Sequence, residues 1–143
     1  TVEIVRHYET NKFVPGENAG IWWVPFVVKP KIPTTNGVED NIPAIALAHE
    51  LAHAEDYFNG TMKKNKVWIS KQYLEQNNYK FDDHSYDREK YATHIENKIR
   101  AQYGLPLRTH YAVSTDGVPI ECTAILNHRS ESIFYGKYKY LNN

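Results

Sequence analysis

One cysteine, Cys122, is all the sequence has, so no disulfide can close within the chain and the fold does not depend on oxidation, which suits a reducing cytosol. There is no excess of charge of either sign: seventeen basic residues balance seventeen acidic ones, and no global field points to nucleic acid or to an anionic membrane. No apolar run approaches the ~20 residues needed to span a bilayer, and Thr1–Arg6 lack the layout of a signal peptide. The chain begins directly in what reads as a strand, as expected of a mature fragment or of a piece of a longer protein. No break in composition divides it, and 143 residues suffice for one domain, 1–143, with its own core.

What is present is concentrated in Ile45-Ala46-Leu47-Ala48-His49-Glu50-Leu51-Ala52-His53-Ala54-Glu55-Asp56. On a helix His49 and His53 lie one turn apart on the same face, so two imidazoles converge on one zinc ion with Glu50 beside them as a base. The metal lowers the pKa of a water and polarises a carbonyl, and the carboxylate takes the proton. Asn41 is a candidate N-cap, Pro43 falls in the first turn where its missing N–H costs little, and Asn59-Gly60 is a stop signal. These place the helix at about 42–58. Its many Ala, Leu and Ile residues leave little polar face, so a mostly buried helix is expected, and buried histidines call for a partner or a metal.

Upstream, residues 1–8 alternate loosely as a half-buried strand, with Val2 and Ile4 on one side. Residues 20–28, Gly-Ile-Trp-Trp-Val-Pro-Phe-Val-Val, are strand-like, and Pro25 pushes them toward an edge position or a bulge. An edge strand in a zincin commonly lines the cleft and pairs with a peptide, although Trp22 and Trp23 could equally be ordinary sheet residues. Residues 29–40, with Asn36-Gly37, read as a loop or hairpin. Val67-Trp68-Ile69 and Tyr73-Leu74 read as a short strand and turn, and 76–83 as a polar turn-rich connector. In the tail, Ser114–Gly117 is a hairpin turn, 132–138 a tyrosine-rich strand and Cys122 a core residue. Asn127-His128-Arg129 resembles a nuclease fragment only faintly, without its second part.

A second helix is expected at about 86–103, ended by Gly104-Leu105-Pro106. Glu89, Thr93, Glu96 and Arg100 share one stripe, opposite Tyr91, Ile95 and Lys98. The extended metzincin pattern would need Gly at 56 and His at 59, where Asp56 and Asn59 stand, so that class is excluded. A glutamate of the downstream helix then becomes the expected third ligand, with an open fourth position. Glu89, Glu96 and His94 compete; His94 lies farthest around the helix and suits a solvent-facing role.

His49–Ala54, Arg88–Thr93, Ile95–Arg100 and Gly104–Tyr111 together resemble the effector-type bacterial metallopeptidases, which include proteases injected into host cells and toxin domains of large secreted proteins, Rhs-type ones among them. The order of motifs is also similar to the catalytic light chains of clostridial neurotoxins, though this chain is far smaller and has Arg88 where an acidic residue often precedes the ligand. The resemblance spans roughly Pro43 to Tyr111. It implies a compact α+β zincin-like fold with two active-site helices and a small, mostly antiparallel sheet. It further implies Zn2+ held by His49, His53 and Glu89, with Glu50 as base and Arg108 and Tyr111 stabilising the oxyanion. Glu96 would hold a ligand histidine in its tautomer or pair with Arg100.

The expected activity is that of a zinc endopeptidase acting on a protein, secreted by bacteria and delivered into the cytosol of a target cell. It would act as a monomer, with an immunity protein or a larger parent polypeptide as further partners and no nucleic acid or membrane. Two rivals are a catalytically silent module that binds a host protein, which a fourth protein ligand would favour, and a metal-dependent amidase acting on a cell-wall substrate.

Overall fold

A computed structural model describes residues 1–27, 31–79 and 84–140. Two long helices dominate it: α1, Pro43–Phe58, and α3, Arg88–Gln102. They pack against each other, while three small sheets and a turn-rich tail cover their flanks. The α+β class expected from the sequence is what the structure has.

The first sheet contains β1 (Glu3–Arg6), β2 (Lys12–Val14) and β3 (Gly20–Trp23) in the order β1-β3-β2, with β1 parallel and β2 antiparallel to β3. This corrects two expectations. The aromatic strand stops at Trp23, before Pro25, and is central rather than an edge, because β1 and β2 each pair with it; Val28, where it was expected to end, lies outside the described residues. Every residue of β1 is exposed, so that strand is not half-buried. The sheet packs through Phe13 and Ile21 onto Ala54 of α1, with Val2, Leu47, Tyr57 and Met62 around them. The Trp23 indole donates to the Pro43 carbonyl at 2.9 Å and fixes the start of α1.

Helix α1 begins one residue later than its polar signals suggest. Ile42 is the N-cap, and Asn41 makes no cap; Pro43 presets the backbone turn instead. The helix is also less enclosed than its composition implies. Ala44, Leu51, Glu55 and Phe58 are exposed, whereas His49, Ala52, His53 and Asp56 face inward. Gly60, at φ +73°, lets the chain reverse, with the Thr61 and Met62 amides closing on the Asp56 carbonyl.

The hairpin of β4 (Ile32–Thr34) and β5 (Gly37–Glu39) forms as the Asn36-Gly37 signal indicates. Its free side receives residues 107–109: the Thr35 amide donates to the Leu107 carbonyl and the Thr109 amide to that of Pro33. That docking holds the segment after α3 against the hairpin. Strands β6 (Val67–Ile69) and β7 (Ser85–Tyr86) pair antiparallel. Between them lies a short helix, α2 (Lys71–Gln76), where a turn was expected; the Ser70 hydroxyl caps it by accepting from the Tyr73 amide at 3.1 Å. Residues 80–83 of the expected connector lie outside the described residues.

Among its described residues the tail holds isolated bridges and one 3-10 turn, Glu121–Thr123, in place of the strand expected at 132–138. The Ser114–Gly117 turn is present, with the Gly117 amide on the Ser114 carbonyl. The tyrosine-rich stretch does not extend, because the Ser132 hydroxyl accepts from the Phe134 and Tyr135 amides and Gly136 and Lys137 adopt positive φ. Its tyrosines surround His94 instead. Cys122 is partly buried against Ile69, Leu74, Ala112 and Ile120.

Candidate metal centre and its cleft

The face where α1 meets α3 is polar, which is unusual for the middle of a small protein. His49, His53, Glu89, Thr93, Glu96, Asn97, Arg100 and Arg108 are all buried there. The apolar packing sits around this spine in three separate clusters. Helical spacing makes the arrangement: His49 and His53 lie one turn apart on α1, and Glu89, Thr93, Glu96 and Arg100 form the facing stripe of α3.

Glu89 Oε2 lies 2.9 Å from His49 Nε2 and 3.1 Å from His53 Nε2. One donor atom from each of the three side chains falls within 4.8 Å of the others, close enough to share one ion. Two imidazoles and a carboxylate are the donor set of an open zinc site. On the outer side of His49, Nδ1 meets Glu96 Oε2 at 2.9 Å, the contact that orients a metal-binding imidazole and fixes its tautomer. The Nδ1 of His53 is buried and unpartnered. The three residues fit a divalent ion.

Both nitrogens of His49 face carboxylates, which only a doubly protonated ring can satisfy. Burial opposes the charge, but hydrogen bonds to Glu89 and Glu96 outweigh it and raise His49 from 6.5 to about 10. Burial likewise works against the Glu96 anion, yet Arg108 and His49 hold its pKa far below the usual 4.5. In the absence of an ion, His49 therefore contributes stability that is complete below pH 6.5 and is lost as pH rises toward 10, while the Glu96 contribution is present above 4.5 and lost below it. The metal-free protein is expected to be most heat-stable between pH 4.5 and 6.5, its Tm falling as pH is raised toward 10. Scanning calorimetry of the chelated protein measures this, and a Tm flat up to pH 10 would contradict it.

Glu96 is 1 % exposed and accepts from three groups: His49, Arg100 Nε at 3.0 Å and Arg108 Nη1 at 2.8 Å. Orienting the histidine and pairing with Arg100, raised above as alternatives, thus occur together. Arg108 makes contacts that the sequence did not indicate. Its Nη1 is on Glu96, its Nε on the His110 carbonyl at 3.2 Å and its Nη2 on the Tyr111 carbonyl, so three protein acceptors hold the guanidinium. Its backbone is clamped by Asn97, whose amide donates to the Arg108 carbonyl at 2.9 Å and accepts its N–H at 2.7 Å. His94 is not solvent-facing either. It stacks on Tyr135 with centroids 4.3 Å apart and bonds Tyr140, and burial, then Lys98, lowers it to about 4.

Glu50 lines a cleft of about 370 Å³ together with His49, His53, Glu89 and Tyr111. Its Oε2 accepts the Phe13 backbone N–H of edge strand β2 at 2.7 Å. A second hollow of about 210 Å³ shares Asn11, His49, Glu50 and Tyr111 in its lining. Burial, followed by the charge of Glu89, raises the pKa of Tyr111, which keeps its hydroxyl protonated. Sequence reasoning missed the β2 contact and the Asn97 clamp. The three-residue strand is too short to carry periodicity, and a buried asparagine signals its two backbone bonds only once Arg108 is folded against it.

The family model of the Peptidase M91 effector proteins matches residues 5–111, which include both helices, β2, Arg108 and Tyr111. The chain belongs to that family. Neither the curated proteins nor the solved structures include a match. This M91 member is thus a peptidase-type effector domain, of a family suggesting a secreted or delivered protein, and among its described residues no helix is long and apolar enough to cross a membrane.

Proposed function

We propose that this M91 domain is a zinc-dependent endopeptidase that cleaves a protein after delivery into the cytosol of a target cell. The observation that carries the reading is the convergence of His49, His53 and Glu89 beside Glu50, where two hollows share His49, Glu50 and Tyr111 in their linings. Room on two sides of the site suits an extended chain better than a small amide. A closed structural site would need a fourth protein donor, and among the described residues the group has three.

His49, His53 and Glu89 would hold the zinc. When bound, zinc supplies Lewis acidity, making water acidic near neutral pH and polarising the scissile carbonyl. Glu50 takes the proton of the attacking water and returns it to the departing amine. The Phe13 N–H holds that carboxylate in place, and Tyr111 donates its phenolic proton as a hydrogen bond to the developing oxyanion. Arg108 acts as a positioning residue through Glu96, which steadies His49. Incubating the protein with target-cell lysate tests the reading. New protein N-termini should appear, vanish after chelation and return on adding zinc; chelator-insensitive cleavage, or none with zinc bound, would overturn it.

A further inference from the structure

The two arms of the cleft differ in charge. The larger is lined by Lys12, Lys64 and Arg88, against only the carboxylates of Glu50 and Glu89. Those two are occupied, Glu50 by the Phe13 N–H and Glu89 by the histidines. Among the described residues neither Lys12 nor Lys64 has an ion-pair partner, and the Arg88 Nε lies 3.9 Å from Glu89, beyond hydrogen-bonding distance.

Each of the three cations also lies near an aromatic ring. Lys12 Nζ sits 6.0 Å from the Trp22 ring, Lys64 Nζ 4.5 Å from that of Tyr57, and the Arg88 guanidinium 4.6 Å from that of Tyr86. Arg88 Nη1 further donates to the Lys64 carbonyl at 2.7 Å, tying the loop after α1 to the start of α3. Aromatic platforms restrict these long side chains beforehand, so less freedom is lost when an anion arrives. Beyond the residues shared with the larger arm, the smaller one is lined by Glu9, Thr10, Ile32, Asn41, Ala46 and Arg108, and that arginine is paired with Glu96. Both arms meet at His49, Glu50 and Tyr111, where the bond would be cut.

Resting on the endopeptidase reading, we propose that the substrate is a polypeptide with aspartate or glutamate within a few residues of the scissile bond on one side only, held by Lys12, Lys64 and Arg88. The opposite side takes neutral or basic residues, since Glu9 would repel an acidic one. Specificity here is a difference of affinities, with attraction in one arm and repulsion in the other.

The test is cleavage of a proteome-derived peptide library by the zinc-loaded protein, with sites read by mass spectrometry. Acidic residues should be enriched about tenfold on one side of the cut, the size two or three partly exposed ion pairs provide, and depleted on the other. In the Lys12→Glu/Lys64→Glu variant, checked for unchanged zinc content, that enrichment should vanish or turn toward lysine and arginine. Sites without one-sided acidic enrichment, or an enrichment that survives the charge reversal, would overturn the proposal. A second measurement needs no turnover. The zinc-loaded Glu50→Gln protein should bind a fluorescein-labelled peptide pool carrying paired Asp or Glu about tenfold more tightly than the same pool carrying Lys, an advantage that shrinks as salt rises. Equal binding of both pools would sink it. A library left uncut by wild-type protein refutes the endopeptidase reading instead, and the binding comparison still decides the charge preference of the cleft.

Discussion

Glu50→Gln is expected to reduce peptide cleavage by about 10^2- to 10^4-fold, the usual contribution of a positioned general base, while the protein keeps its full complement of zinc. Glu50 follows His49 directly on α1 yet stands outside the group of three donors, so the exchange leaves every proposed ligand in place. Glutamine has nearly the same volume, and its carbonyl oxygen can still accept the Phe13 N–H that now meets Glu50 at 2.7 Å. What disappears is the basicity alone. Turnover and metal content measured on one preparation separate the two quantities. Wild-type turnover in the variant would remove Glu50 from the mechanism, and loss of zinc together with activity would make it a ligand.

Glu96→Gln is expected to lower stability by about 3–5 kcal/mol, the cost of breaking a buried ionic group from one side, and zinc affinity about 10- to 100-fold, the usual effect of losing the partner of a ligand histidine. One carboxylate, 1 % exposed, neutralises Arg100 and Arg108 and receives His49 Nδ1. The amide carries no charge, so two guanidinium groups remain buried without a counter-ion, and Arg100 Nη2 already lacks a partner. In a domain of this size the stability loss corresponds to a Tm decrease of about 10–20 °C. Urea unfolding and competition with a chelating dye measure the two effects independently. Glu89→Ala provides the contrast, since it should abolish zinc binding outright. Should Glu96→Gln release the zinc while Glu89→Ala retains it, the ligand and its supporting residue have exchanged places.

The parts legible in the sequence are those set by contacts within one element. His49 and His53 are read as neighbours because one helical turn separates them, and Glu89, Thr93, Glu96 and Arg100 because helical spacing puts them on one stripe. The Asn36-Gly37 hairpin follows from local turn chemistry in the same way. What the sequence hid depends on partners distant along the chain. The guanidinium of Arg108 turns toward Glu96 because residues 107–109 dock on β4 and Asn97 clamps its backbone. Strand propensity in the tail is overridden at Ser132, Gly136 and Lys137 by turn geometry, and His94 is drawn in by the tyrosines thus gathered. Hydrophobic content suggested a mostly buried α1, but its inner side carries the polar spine and Leu51 and Phe58 are exposed.

The 2.7 Å bond between Phe13 and Glu50 joins positions 37 residues apart. The Glu50 carboxylate is thus carried by one helix and held by a strand that precedes it. A grafted helix pair would inherit the means to capture an ion but not the means to direct its carboxylate. Insertions or deletions in the turn at Pro15–Ala19 would therefore shift the strand that meets the Glu50 carboxylate.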